Sequence, residues 1–166
     1  MSVVNVAKDP TRITMTMTCE FEATPERVWQ LWADPRQLER WWGPPTWPAT
    51  FPVHDLRPGG KAEFYMTGPD GERSSGYWLV DVVEPPRYLE IRDGFSNPDG
   101  TRNDELPGVV MRVTIEEAKQ GLTRMVLESS FASLAAMETL LEMGMDEGMT
   151  QALGQITAIL AERKAV

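Results

Sequence analysis

The stretch LEMGMDEGMTQALGQITAIL, residues 141–160, decides how the rest of the chain is read. Leu141, Met145, Met149, Ala152, Leu153, Ile156, Ile159 and Leu160 recur at steps of three and four. On a helix of 3.6 residues per turn those steps fall on one side and make a single apolar stripe. The helical pattern begins near Leu134 and runs to the end of the chain. Such a stripe needs an apolar surface to cover it.

The segments before it supply that surface. RITMTMTCEF, residues 12–21, alternates Ile13, Met15, Met17, Cys19 and Phe21 with polar residues, the pattern of a strand with one buried face. KAEFYMT (61–67) sets Ala62, Phe64 and Met66 against Lys61, Glu63 and Tyr65, and an Asp-Gly turn follows. SGYWLVDVVE (75–84) is a nearly continuous apolar strand that Pro85-Pro86 ends, and RYLEIRD (87–93) is another. VVMRVTIEEA (109–118) and LTRMVLESSF (122–131) form a pair around Gly121, after a polar loop from Phe95 to Gly108.

Two short helices interrupt this series early. Thr24 and Asp34 each precede a proline, so each caps a helix that Pro25 or Pro35 opens. Gly43-Pro44-Pro45 stops the second, and WPATFPVHDLRP (47–58) continues extended. Trp41 and Trp42 lie about 100° apart on a helix, so the expectation is a split. Trp41 packs inward, three residues after Leu38, while Trp42 lies towards a cavity mouth with Trp47 close by.

The order β-α-α-β-β-β-β-β-β-α predicts an α+β domain. A curved antiparallel sheet of about six to seven strands wraps a long C-terminal helix, with two short helices after the first strand. A length of 166 residues is one domain's worth. Residues 1–10 are read as an N-terminal tail and 11–166 as the single domain. A strongly curved sheet around a helix tends to leave a gap, and such gaps become ligand cavities.

Sixteen basic against twenty-five acidic residues give a net charge of -9, which argues against nucleic acid and anionic membrane surfaces as partners. Cys19 is the only cysteine, so an internal disulfide is excluded. The first residues lack the apolar core of a signal peptide, and no run is long enough to span a bilayer. A cytoplasmic location follows as the expectation. One cysteine and one histidine leave no structural zinc set, and no metal or other cofactor is expected.

His54, the one histidine, reads either as a polar anchor or base in the cavity or as a strand residue satisfied by its neighbours. Asp55 and Arg57 share a strand face and read either as holders of a substrate carboxylate or an acid–base pair, or as an ion pair supporting the Gly59-Gly60 turn. Glu116-Glu117 and Asp146-Glu147 point apart and read as solvated surface. Tyr65, Tyr77 and Arg112 complete the polar candidates; they form no catalytic constellation, and no catalytic residue is assigned. The ten methionines carry more information. Deformable thioethers either fill an irregular core or line a pocket for a flexible apolar ligand. The expected lining is Met15, Met17, Trp42, His54, Phe64, Met66, Trp78, Met111, Met125, Met145, Met149 and Leu153.

The motifs taken together resemble a family. They are Ala23 and Pro25; Val28-Trp29 with Trp32; Asp34-Pro35, Leu38 and Trp41-Trp42-Gly43-Pro44. Further on come Asp55-Leu56-Arg57-Pro58-Gly59-Gly60, Gly76, Val83-Glu84-Pro85-Pro86-Arg87-Tyr88-Leu89 and Thr123-Arg124. The chain resembles the START-like (SRPBCC, birch-pollen-allergen-like) helix-grip superfamily over about residues 11–163. Within it the chain is similar to the bacterial single-domain group named after the activator of the heat-shock-protein-90 ATPase. That group usually has Gly-Trp in the last helix, where this chain has Gly148-Met149, a change that alters the cavity's shape. The resemblance implies a helix-grip fold and an internal cavity for a small hydrophobic or aromatic molecule, lipids included, in a carrier or sensor without catalysis. It leaves open a cavity enzyme of the polyketide cyclase/aromatase or hydrolase type. A chaperone-associated adaptor with a stress-response role rests on the family name alone, because nothing here matches the eukaryotic co-chaperone's separate N-terminal domain. A homodimer is left open.

Overall fold

A computed structural model describes residues 3–162, with side chains from 5 onward. The strands are β1 (Val3–Asp9), β2 (Thr14–Phe21), β3 (Ala49–His54), β4 (Lys61–Thr67), β5 (Arg73–Glu84), β6 (Tyr88–Ser96), β7 (Val109–Lys119) and β8 (Leu122–Phe131). The helices are α1 (Pro25–Ala33), α2 (Pro35–Leu38), α3 (Leu134–Glu142), α4 (Met145–Leu153) and α5 (Ile156–Ala161). All strands join one antiparallel sheet in the order β1-β2-β8-β7-β6-β5-β4-β3.

Alternation becomes burial as expected. Met15, Met17, Cys19 and Phe21 of β2 are buried, as are Met111, Val113 and Ile115 of β7 and Met125 and Leu127 of β8. The helical stripe meets this face through Ala152, Leu153, Ile156 and Ile159. Cys19 is fully buried, and desolvation pushes its thiol up to about 12. Among the described residues no helix is long and apolar enough to cross a membrane.

Three expectations need correction. The range 1–10, expected as a tail, holds a strand: Val3–Asp9 forms β1 on the sheet edge beside β2, with Asp9 opposite Thr14, while residues 1 and 2 lie outside the described residues. Asn5 to Lys8 are all exposed, so one-sided burial left no alternation to read there. The sheet accordingly has eight strands, not six or seven. The C-terminal helix is not continuous. Gly144 takes a left-handed φ of 88° and separates α3 from α4, whereas the α4–α5 junction stays right-handed through Gly154 and Gln155. Residues 163–166, the end of the range assigned to the domain, lie outside the described residues.

The Trp-Trp stretch also differs. α2 ends at Leu38, so Trp41 and Trp42 sit on the turn beyond it and the helical offset does not apply. Both rings are buried, with centroids 5.6 Å apart in an edge-to-face pair. Gly43, at φ 113°, turns the chain away, and Gln155 Nε2 donates to its carbonyl at 2.8 Å, tying this turn to the terminal helices.

Candidate functional site

A partly open cavity of about 310 Å³ lies between one end of the sheet and the helices. Its floor is built from Phe64 and Met66 of β4, Ser74 to Gly76 of β5, Asp93 to Phe95 of β6 and Val109 of β7. Leu140 of α3 and Met145, Gly148, Met149 and Ala152 of α4 cover it, with the Met143-Gly144 joint at one edge. Trp42, Gly43 and Pro44 make a wall. The space follows from local sequence. A Cβ at Gly148 would meet nothing within 4 Å, and α4 carries a glycine and a thioether where bulk would have filled the gap.

Five of the expected lining residues meet here: Trp42, Phe64, Met66, Met145 and Met149. Met15, Met17, Trp78, Met111, Met125 and Leu153 do not; they are at most 1% exposed and belong to the solid core. Their faces point inward as alternation requires, but the helices pack directly on that part of the sheet. Trp32 Nε1 even donates to the Met125 sulfur at 3.3 Å. Trp47 is also absent from the lining and packs over the β4–β5 turn, where its ring approaches Gly68.

His54 has a structural task. The last carbonyls of α1 lose their usual donors, because Pro35 has no N–H and the Arg36 N–H goes to Asp34 Oδ1. Trp41 Nε1 donates to the Leu31 carbonyl at 2.9 Å, and His54 Nε2 meets the Trp32 carbonyl at 3.0 Å. A carbonyl only accepts, so Nε2 carries the proton. Asp55 and Arg57 pair at 2.9 Å beside the Gly59-Gly60 turn. Tyr65 stacks under Arg73, Tyr77 under Arg102, and Arg112 reaches Glu90, Glu128 and Ser130. None of these polar candidates lines the cavity.

Asp93 does. It follows Leu89 and Ile91 at period two on β6, so strand geometry turns it to the same inward face. No other charged residue lines the cavity, and the carboxyl has no hydrogen-bond or ion-pair partner among the described residues. The cavity leaves it half-buried, yet protein encloses it closely enough that desolvation raises it to about 7 from an ordinary 3.8. Sequence reading passed over Asp93 as the polar end of a strand; the alternation itself was the signal that marks it. The Nε1–H groups of Trp42 and Trp78 are also buried, without partners among the described residues. Among the described residues no group of three or more His, Cys, Asp or Glu is placed to hold a metal ion.

A curved antiparallel sheet, closed by C-terminal helices over an apolar cavity, defines a helix-grip protein. The chain belongs to the family described as Activator of Hsp90 ATPase homolog 1-like protein, whose model matches residues 22–161. Similar solved structures include protein Ms6760 from Mycobacterium smegmatis, 43% identical with a TM-score of 0.89, covering 98% of this chain and 99% of that one. A protein from Arthrobacter aurescens is 47% identical with a TM-score of 0.93, over 98% and 94% of the two chains. The AHSA1 protein SPO3351 from Silicibacter pomeroyi is 25% identical with a TM-score of 0.72, over 89% and 97%. No curated protein matches the chain.

Proposed function

We propose that the protein binds a small, mainly apolar molecule in the cavity beneath α4, as a carrier or sensor. The observation that carries this reading is a partly open space of about 310 Å³ walled by Trp42, Phe64, Phe95 and four methionines, beside a solid core. That volume and lining match small-molecule sites. Methionine walls adapt to ligand shape at little cost. The test is titration with phenylnaphthylamine, an uncharged dye that brightens in apolar surroundings. Saturable binding by the wild type, blocked by Met149→Trp, is the expected result. Absence of saturable binding, or equal binding by the filled variant, overturns the reading.

A second reading, a cavity enzyme of the cyclase or hydrolase type, has Asp93 in its favour. A carboxyl that titrates near neutrality inside an apolar cavity suits general acid–base work. Turnover of an aromatic polyketone or ester that Asp93→Asn abolishes would select it. Binding without turnover leaves the carrier.

A further inference from the structure

We infer that the molecule held in this cavity carries a protonated amine, with its ammonium on the Asp93 carboxylate and its apolar body against Trp42, Phe64 and Met149. This rests on the binding proposed above and names the ligand's chemistry.

The geometry supplies the reasons. Asp93 lines the cavity from the inward face of β6, and its carboxyl has no partner among the described residues. Across β5 its neighbour is Trp78; across β7 it is Val109; along β6 the inward residues are Ile91 and Phe95. From the helices come Leu140, Met145 and Met149. Among the described residues no lysine, arginine or histidine lines the cavity, and the only side-chain hydroxyls in its lining are those of Ser74 and Ser75. The nearby cations are engaged elsewhere: Arg92 holds Asp81 at 2.9 Å and Arg102 lies over the Tyr77 ring. An ionised carboxylate in apolar surroundings is therefore left for the ligand to neutralise. Aromatic faces in the same walls attract cations, and a net charge of -9 draws them from solution.

The rival chemistry uses the same carboxyl as a neutral acid that donates a hydrogen bond to a ligand carbonyl. The Trp42 and Trp78 indole N–H groups would favour it if they reached the space, but both are sealed from it. The two chemistries have opposite pH dependence. Ammonium binding requires the ionised carboxylate and weakens as pH falls through about 7. Carbonyl binding requires the protonated form and strengthens over the same fall.

The experiment is displacement of phenylnaphthylamine by three compounds of one shape: phenylbutylamine, phenylbutanol and the ketone benzylacetone, at about pH 8 and about pH 5.5. The expected result at the higher pH is an amine about tenfold tighter than the alcohol, because a charge-assisted contact is stronger than a neutral one. That ratio shrinks at the lower pH and falls to about one in Asp93→Asn, whose folding is confirmed by its melting curve. The wild-type pH comparison stands on its own if the variant does not fold. Equal displacement by amine and alcohol overturns the inference while leaving the cavity reading intact. So does a preference for the amine that survives Asp93→Asn, or a ketone that tightens as pH falls. Failure of the dye itself to bind overturns both.

Discussion

Asp93 and Trp78 are directly paired across β6 and β5, both turned to the inner face, and neither the carboxyl nor the indole N–H has a hydrogen-bond partner among the described residues. Cross-strand partners stand about 4.5–5.5 Å apart at Cβ. Two cross-strand neighbours thus each keep a polar group unmet, where the solid core gives way to the cavity. Such groups cost stability, which makes them measurable.

Asp93 should make the protein lose stability as pH rises. Its proton is held more tightly in the fold, near 7, than in the unfolded chain, near 3.8. The native state therefore binds more protons between those values, and unfolding free energy falls across that window and is flat above it. The cost of ionisation is about 2–3 kcal/mol after allowance for the access the cavity provides. Asp93→Asn should remove most of this slope and be the more stable protein above about pH 7. Urea melts at several pH values check it; parallel curves for the two proteins would refute it.

Replacing each adjacent tryptophan by phenylalanine should separate their roles. Trp41→Phe strands the Leu31 carbonyl and leaves a small void, at a cost of about 3 kcal/mol. Trp42→Phe removes an N–H without a partner among the described residues, so its cost should be nearer 1 kcal/mol. Dye affinity should shift only in the second, because only Trp42 lines the cavity. Denaturant midpoints and dye titrations read both effects.

His54→Ala should cost about 1–2 kcal/mol by stranding the Trp32 carbonyl, and should leave dye affinity unchanged. A large change in dye affinity at unchanged stability would instead place His54 in the site.

Two glycines of the terminal helices should respond oppositely to alanine. Gly148 lies inside α4 with open space where a methyl would go, so Gly148→Ala should stabilise by about 0.5–1 kcal/mol. Gly144 sits at φ 88°, where a side chain is strained, so Gly144→Ala should destabilise by about 1 kcal/mol. Melting temperatures decide, and equal shifts of one sign would contradict the account.

What was legible in the sequence is what burial on one side writes into it. β2, β4, β7 and β8 alternate because one face is dry, and the stripe from Leu141 to Leu160 follows from the same cause. β1 was illegible because Asn5 to Lys8 are exposed on both faces. The break at Gly144 was hidden because the apolar spacing runs through it without a skip. In the cavity lining, the positions of Phe64, Met66, Met145 and Met149 follow from their faces. Alternation cannot say where along a strand the helices stop touching it, so Met15, Met17, Met111 and Met125 were grouped with them though the core is solid there. Asp93 was missed because a charge at a strand's end suggests solvent, although Leu89 and Ile91 set its direction.

The burial of Cys19 has a practical side. With its single thiol sealed and held protonated, the native protein should be silent to maleimides. A cysteine introduced at Met143, exposed at the cavity's edge, would then take a fluorophore alone and report occupancy of the space without any other residue being removed first.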